Sequence, residues 1–285
     1  VLAGGNYELI HICESQNIQL TEFDAVSYAI QYWHNDIVEY LAPSSFDVLP
    51  ISAKYYNLEL LFKSVKEVPK NMKSRYLCYD DFRLACFHAS ECAYLESVRI
   101  LCDIEPLIVE KCDYYNNYMI HYATKTNIID VIRFICNLPY SDLNVNDGFT
   151  FTPLFIAVNQ GYLDAIDLLC SYSKVDLNRQ DYHGNTALFY AIKQVSIDSV
   201  RIFMKYCSRL KSDIRNNEGL TYLHAAIQSK SLEIVKLIYE LDNDLCLIGN
   251  KTNSTVLAYS IAYGTTEIVD FFGHIPKIDV NATNK

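Results

Sequence analysis

No apolar stretch in this chain approaches the ~20 residues that a membrane-spanning helix needs, so no bilayer partner is expected. No run of Lys and Arg concentrates positive charge, and the formal net charge is −10. That balance argues against nucleic acid, whose backbone is held by neutralising phosphates with basic side chains. The ten cysteines form no CxxC pair and keep no metal-ligand spacing. The chain is also far longer than a small disulfide-stapled domain, so they are read as reduced thiols of a cytoplasmic (or nuclear) protein. Val1–Gly5 lacks the charged-then-apolar pattern of a signal peptide, and the glycan-type triplets at Asn250, Asn253 and Asn281 then mean little. A glycine-rich phosphate loop, a nucleophile–base set and a His/Glu metal motif are all missing. The expectation is therefore no catalysis, no cofactor and no metal, with a protein as the partner. Since the first residue is not Met, we expect a piece of a longer chain.

What the chain has is a period. Glu96, Asp130, Asp164, Asp198, Glu233 and Glu267 follow one another at spacings of 34, 34, 34, 35 and 34. After each acid comes one apolar stripe, from Val98-Arg-Ile-Leu through Ile166-Asp-Leu-Leu to Val269-Asp-Phe-Phe, which defines one buried helix face. Seven residues before each acid stands a small side chain: Ala89, Ala123, Ala157, Ala191, Ala226 and Ser260. A small residue kept at one helical position predicts close helix–helix approach there. Units of this length, with two short helices and a polar turn, bury their apolar faces only by stacking.

Within the units the sequence resembles the ankyrin-repeat family. Thr152-Pro-Leu-Phe-Ile-Ala is similar to the family's Thr-Pro-Leu-His-x-Ala, and looser versions begin at Tyr118, Thr186 and Thr221. Asp181-Tyr-His-Gly184 resembles the Asp-x-x-Gly turn of the family's hairpin, and Asn216-Asn-Glu-Gly219 varies it. Asp142-Leu-Asn, Asp176-Leu-Asn and Asp279-Val-Asn resemble the segment leading into the next hairpin. Gly161 and Gly264 stand where the first helix ends, a place suited to left-handed backbone. The resemblance implies an all-α solenoid of stacked helix pairs with short hairpin or turn tips. It places regular repeats at 79–112, 113–146, 147–180, 181–215, 216–249 and 250–283. Residues 1–78 form divergent, shortened units continuous with them. Short early units with Tyr/Asn-rich later ones are similar to the large ankyrin families of some protists. Apolar Ile268, Val269, Phe271 and Phe272 in the last helix predict further repeats or a cap beyond Lys285.

Residues of types that carry chemistry elsewhere fit the repeat instead. Cys102, Cys136 and Cys170 recur at spacings of 34, with Met204 next, as a soft apolar packing slot. Cys86, His88 and Cys92 lie on one inner helix, and no fourth ligand has suitable spacing for zinc. The resemblance makes His121 and His224 hairpin-region hydrogen-bonding residues, and His34 a structural residue of the inter-helix turn.

Function then rests on the positions the repeat leaves free. On the tips these are Tyr114, Tyr115, Asn117, Phe149, Phe151, Tyr182, His183, Asn185, Asn217, Glu218 and Leu220, and on the inner helices they include Gln160 and Gln194. The expectation is a non-catalytic scaffold that holds a partner protein in a groove centred on residues 113–215. Aromatic residues suit such anchors, although 23 tyrosines allow composition to account for some of them. Phe149 and Phe151 are the more telling, since Phe is less expected on a surface. The alternative is a targeting or spacer arm for a kinase-like or ligase-like domain outside this chain. A monomer is expected unless uncapped ends associate.

Overall fold

The acid that marks each period sits in the first turn of a helix, where free backbone amides favour a carboxylate. The computed structural model describes Ser52, Asn57 and residues 79–278, except 93, 248 and 251–253. The irregular units expected before residue 79, His34 among them, lie outside the described residues, as do Asn253, Asn281 and the Asp279-Val-Asn segment. Among the described residues from Tyr79 onward, twelve α-helices follow in pairs. They are α1 (Tyr79–Glu91) with α2 (Leu95–Ile104), α3 (Met119–Thr126) with α4 (Ile129–Cys136), and α5 (Pro153–Gln160) with α6 (Leu163–Ser171). Then come α7 (Ala187–Lys193) with α8 (Ile197–Lys205), α9 (Tyr222–Gln228) with α10 (Leu232–Leu241), and α11 (Val256–Tyr263) with α12 (Thr266–Gly273).

The chain divides into two compact units, Val1–Asp142 and Leu143–Lys285. In the first, α1 packs on α3 and α2 on α4. In the second, the inner helices α5, α7, α9 and α11 stack in order, as do the outer helices α6, α8, α10 and α12. The architecture is an all-α solenoid of helix pairs. No strand forms among the described residues, where a single isolated antiparallel bridge joins Cys112 to Tyr118.

The small-residue marker explains the stacking. Ala89, Ala123, Ala157, Ala191, Ala226 and Ser260 are all 0% exposed. On the outer helices Val98, Ile132, Ile166, Val200 and Val235 are equally buried, each contributing about 1.5–3 kcal/mol by leaving water. Val269, their counterpart in the last pair, is only half-buried. The contrast is sharper one residue after the small marker. Ser90, Thr124, Val158, Ile192 and Ile227 are 0% exposed, whereas Ile261 is 67% exposed.

Between inner and outer helices the chain turns through left-handed backbone at Asn127, Gly161, Val195 and Lys230, with φ of 56°, 71°, 57° and 59°. Gly264 departs from the sequence expectation, with φ −82° and ψ −173°. Its glycine serves close approach instead, since a Cβ there would lie 2.6 Å from the Ser260 carbonyl oxygen.

Neighbouring loops of the second unit are tied by side-chain amides. Asn144 donates to the Lys174 carbonyl at 2.8 Å and accepts from the Asp176 amide at 2.7 Å. Asn178 repeats this with the Arg209 carbonyl at 2.8 Å and the Lys211 amide at 2.8 Å. The Asn of the Asp-Leu-Asn segment is thus a two-sided clip to the following repeat. Arg209 returns the favour, donating to the carbonyls of Cys170, Tyr172 and Val175 at and beyond the end of α6, where a cation is favoured.

Candidate functional site

Four tips preceding inner helices share one hydrogen-bonded loop. In the second unit the Asp147 amide donates to the Phe151 carbonyl at 3.0 Å and the Thr150 amide to the Asp147 carbonyl at 3.0 Å. The Asp181 and Asn216 loops repeat the pattern, as does the Asp113 loop of the first unit. The fourth residue is left-handed each time: Asn116, Thr150, Gly184 and Gly219. This is the three-residue hairpin geometry in which a turn ends on a left-handed residue.

The first residue of each loop holds it shut from inside. Asp147 Oδ1 accepts from the amides of Phe149 at 2.8 Å and Phe151 at 2.9 Å. Asp181 Oδ1 does so for His183 at 2.9 Å and Asn185 at 2.8 Å, and its Oδ2 accepts from the Tyr190 hydroxyl at 2.7 Å. Asn216 Oδ1 takes the amides of Glu218 at 3.1 Å and Leu220 at 3.0 Å. Burial first, and then the Asp181 carboxylate, raise the Tyr190 phenol well above its ordinary value.

Asp113 does the same in the first unit, accepting from the amides of Tyr115 at 2.8 Å and Asn117 at 2.7 Å and from the Tyr122 hydroxyl at 2.7 Å. Burial raises its carboxyl, but hydrogen bonds from Asn117, Tyr122 and the two amides outweigh that and hold it below the usual range. Asp113 and Asp147 escaped sequence reading because their loops lack the terminal Gly of the recognised turn. The succession Asp113, Asp147, Asp181 in steps of 34 residues was the available signal.

The expected contact residues differ in their exposure. Tyr114 is 91% exposed and Tyr115 66%, their rings edge to face at 5.3 Å. Phe149 is 70% exposed and Tyr182 62%, with the His183 ring 3.9 Å from that of Tyr182. His183, Asn217, Glu218, Gln160 and Gln194 are exposed. Asn117 and Asn185, expected on the surface, are instead buried at 9% and 4%. Asn117 Nδ2 donates to Asp113 Oδ2 at 3.0 Å, and Asn185 Oδ1 accepts from Asn216 Nδ2 at 3.1 Å. Leu220 is buried as well. Phe151 is half-buried, with ring centroids 5.8 Å from Phe155 and 5.9 Å from Tyr190. These four hold the tips together.

Adjacent tips in the second unit are pinned to one another. The Tyr182 amide donates to Thr150 Oγ1 at 3.3 Å, the Asn217 amide to the His183 carbonyl at 2.9 Å, and Asn217 Nδ2 to the Tyr182 carbonyl at 2.9 Å. A Cβ on Gly184 would meet Asn217 Oδ1 at 2.8 Å, so glycine is required by contact as well as by its φ of 74°. Inner-helix ends are linked too, with Gln194 Nε2 3.2 Å from Asn159 Oδ1.

His121 and His224 are bonded at the starts of their inner helices. His121 Nδ1 accepts from the Tyr118 amide at 2.9 Å, and His224 Nδ1 lies 2.8 Å from Thr221 Oγ1. Burial chiefly, with a contribution from the Arg215 charge, pushes His224 down to about 4 against the effect of a hydrogen bond to the Ser254 backbone. Cys102, Cys136 and Cys170 are buried, at 3%, 1% and 0% exposure. Burial first, and then the Asp103 charge, push Cys102 up to about 12, and burial does the same for Cys170 against the Arg209 charge. Such thiols stay protonated at neutral pH. Cys86 is buried, Cys92 half-buried, and His88 sits 3.6 Å from Glu91. Among the described residues, no group of three potential metal ligands gathers and no helix is long and apolar enough to cross a membrane.

Residues 138–211 and 205–284 each match the family model described as ankyrin repeats (3 copies), together just over half of the chain. The chain belongs to the ankyrin-repeat family. Ankyrin repeats are in general protein–protein interaction modules. Among solved structures, the chain is similar to the ankyrin repeat domain of Bcl-3, described as a unique member of the IkappaB protein family. There the TM-score is 0.69 at 20% identity, over 79% of this chain and 97% of that one. It is also similar to an ankyrin repeat domain from Acinetobacter baumannii AYE, with TM-score 0.58 and 21% identity over 66% and 95% of the two chains. At such identities the likeness shows the ankyrin fold alone. A comparison with curated proteins returns no match.

Proposed function

We propose that this ankyrin array is a non-catalytic scaffold, and that the tips and inner-helix ends of its second unit bind a partner protein. The observation that carries this is Phe149, 70% exposed on a turn whose backbone Asp147 fixes through two hydrogen bonds. An exposed Phe on a mobile loop loses rotational freedom on binding, whereas one on a braced turn is already placed. Tyr182, on the next tip and equally braced, adds a second flat aromatic surface. Exposed aromatic anchors on rigid backbone are the residues that dominate binding energy. The first unit carries its own exposed pair, Tyr114 and Tyr115, as a separate candidate.

Replacing Phe149 and Tyr182 together by Ala tests the reading. Captured partner should fall by more than about tenfold, the loss of one strong hot spot. Thermal unfolding should stay where it is, since both rings are largely solvated. Unchanged capture by the double variant rejects this face, and Tyr114 and Tyr115 then become the pair to replace.

A further inference from the structure

Of the tips that Asp113, Asp147 and Asp181 close, two satisfy both carboxylate oxygens from within. Asp113 Oδ1 closes its loop, while Oδ2 accepts from Asn117 Nδ2 at 3.0 Å and the Tyr122 hydroxyl at 2.7 Å. Asp181 Oδ2 likewise accepts from the Tyr190 hydroxyl at 2.7 Å. Asp147 makes the same Oδ1 bonds to the Phe149 and Phe151 amides, but among the described residues no donor reaches its Oδ2. The reason lies in the sequence. Nine residues on, where Tyr122 and Tyr190 stand, this repeat has Ile156, and where Asn117 stands it has Phe151, and neither side chain can donate. Asp147 is 8% exposed, yet Oδ2 is not sealed from solvent. The repeat that carries Phe149 thus holds a mostly buried carboxylate with one oxygen open.

From this we infer that the partner delivers an arginine side chain to Asp147, a statement that rests on the binding face proposed above. A neutral donor arriving at Oδ2 does no more than replace solvent. A guanidinium adds the attraction of opposite charges, at a spot where little water screens it. Phe149, 70% exposed, gives its backbone amide to the same carboxylate, so its ring stands on the same turn. A planar guanidinium can stack on such a ring while it bonds the oxygen, and lysine lacks that plane. The chain's net charge of −10 favours the approach of a basic surface.

The test is selection of disulfide-closed random peptide loops, displayed on phage, against the full chain, followed by affinity measurements on synthetic copies. Enriched loops should carry an arginine whose replacement by glutamine weakens binding about tenfold or more. Asp147→Asn keeps Oδ1 for the turn, as Asn216 does in its own tip. It should weaken the arginine loops to the same extent and leave the thermal midpoint in place. Once the arginine has been replaced, it should cost nothing further, which marks a direct pair. Ile156→Tyr, which offers Oδ2 a hydroxyl from inside, should weaken the same loops with the carboxylate retained. Loops that need Phe149 and Tyr182 but ignore Asp147→Asn overturn the arginine while keeping the face. Loops that ignore both Asp147→Asn and the Phe149→Ala, Tyr182→Ala double variant overturn the face itself. A selection that yields no arginine-dependent loop rejects the inference.

Discussion

The phenol oxygen of Tyr222 lies 2.9 Å from the hydroxyl of Thr186, and both residues are 0% exposed. Tyr222 stands where the first of these motifs has Pro153, at the start of an inner helix, and Thr186 caps the inner helix of the preceding repeat. A looser motif has gained a bond between repeats. Removing that hydroxyl leaves Thr186 with only a long contact to the Phe189 amide at 3.5 Å. Tyr222→Phe should therefore cost about 1 kcal/mol. Urea denaturation should show a lower midpoint at unchanged slope, and no loss of stability would show that the bond is idle.

Val195 has left-handed backbone, φ 57°, at the position held by Gly161 in the preceding repeat. A β-branched residue is costly there, and at 45% exposure its side chain returns little by packing. Val195→Gly should stabilise the protein by about 1 kcal/mol despite the entropy of the added glycine. A fall in thermal midpoint would show that the Val side chain contributes more than its exposure suggests.

His224 gives the fold an acid-sensitive element. Its folded pKa of about 4 lies below the ordinary 6.5, so the unfolded chain binds the proton first as pH falls. The stability it supports is present above pH 6.5 and drains away as pH drops toward 4, on the order of 3 kcal/mol in total. Phe155 and Phe189 occupy the same position in the two preceding repeats, so His224→Phe is a ring that fits. Stability curves of the two proteins measured across that pH window should converge toward low pH. Parallel curves would contradict the buried, neutral imidazole.

Ile227 and Ile261 share one repeat position and differ in cover, at 0% and 67% exposure. Ile227→Ala should cost about 3 kcal/mol through lost burial and the cavity left behind. Ile261→Ala should stay within about 0.5 kcal/mol, as for other solvated side chains. Equal losses by chemical denaturation would mean that Ile261 is covered in solution.

Much of the helical framework was legible in the linear order of residues. The spacing of acids and small side chains located the outer helices and the buried Ala positions, because the α-helix has one period and places residues on a face by counting alone. The tips were legible only in part. Asp181-Tyr-His-Gly announces its turn, whereas Asp113-Tyr-Tyr-Asn and Asp147-Gly-Phe-Thr form the same loop with a non-glycine residue forced into left-handed backbone.

The sequence by itself therefore determined the repeat, through spacing from unit to unit, and its motifs resemble those of the family to which the chain belongs. Tertiary structure decided which tip residues face water. Asn117 is taken inward by the carboxylate of its own loop, Asn185 by Asn216 one repeat away, and Phe151 by the rings of Phe155 and Tyr190. Tyr114, Tyr115, Phe149 and Tyr182 find no such cover and stay in solvent. The physical reason is that exposure depends on what the next turn of backbone and the neighbouring repeat bring alongside, and a periodic pattern predicts the position of a side chain but not its neighbours.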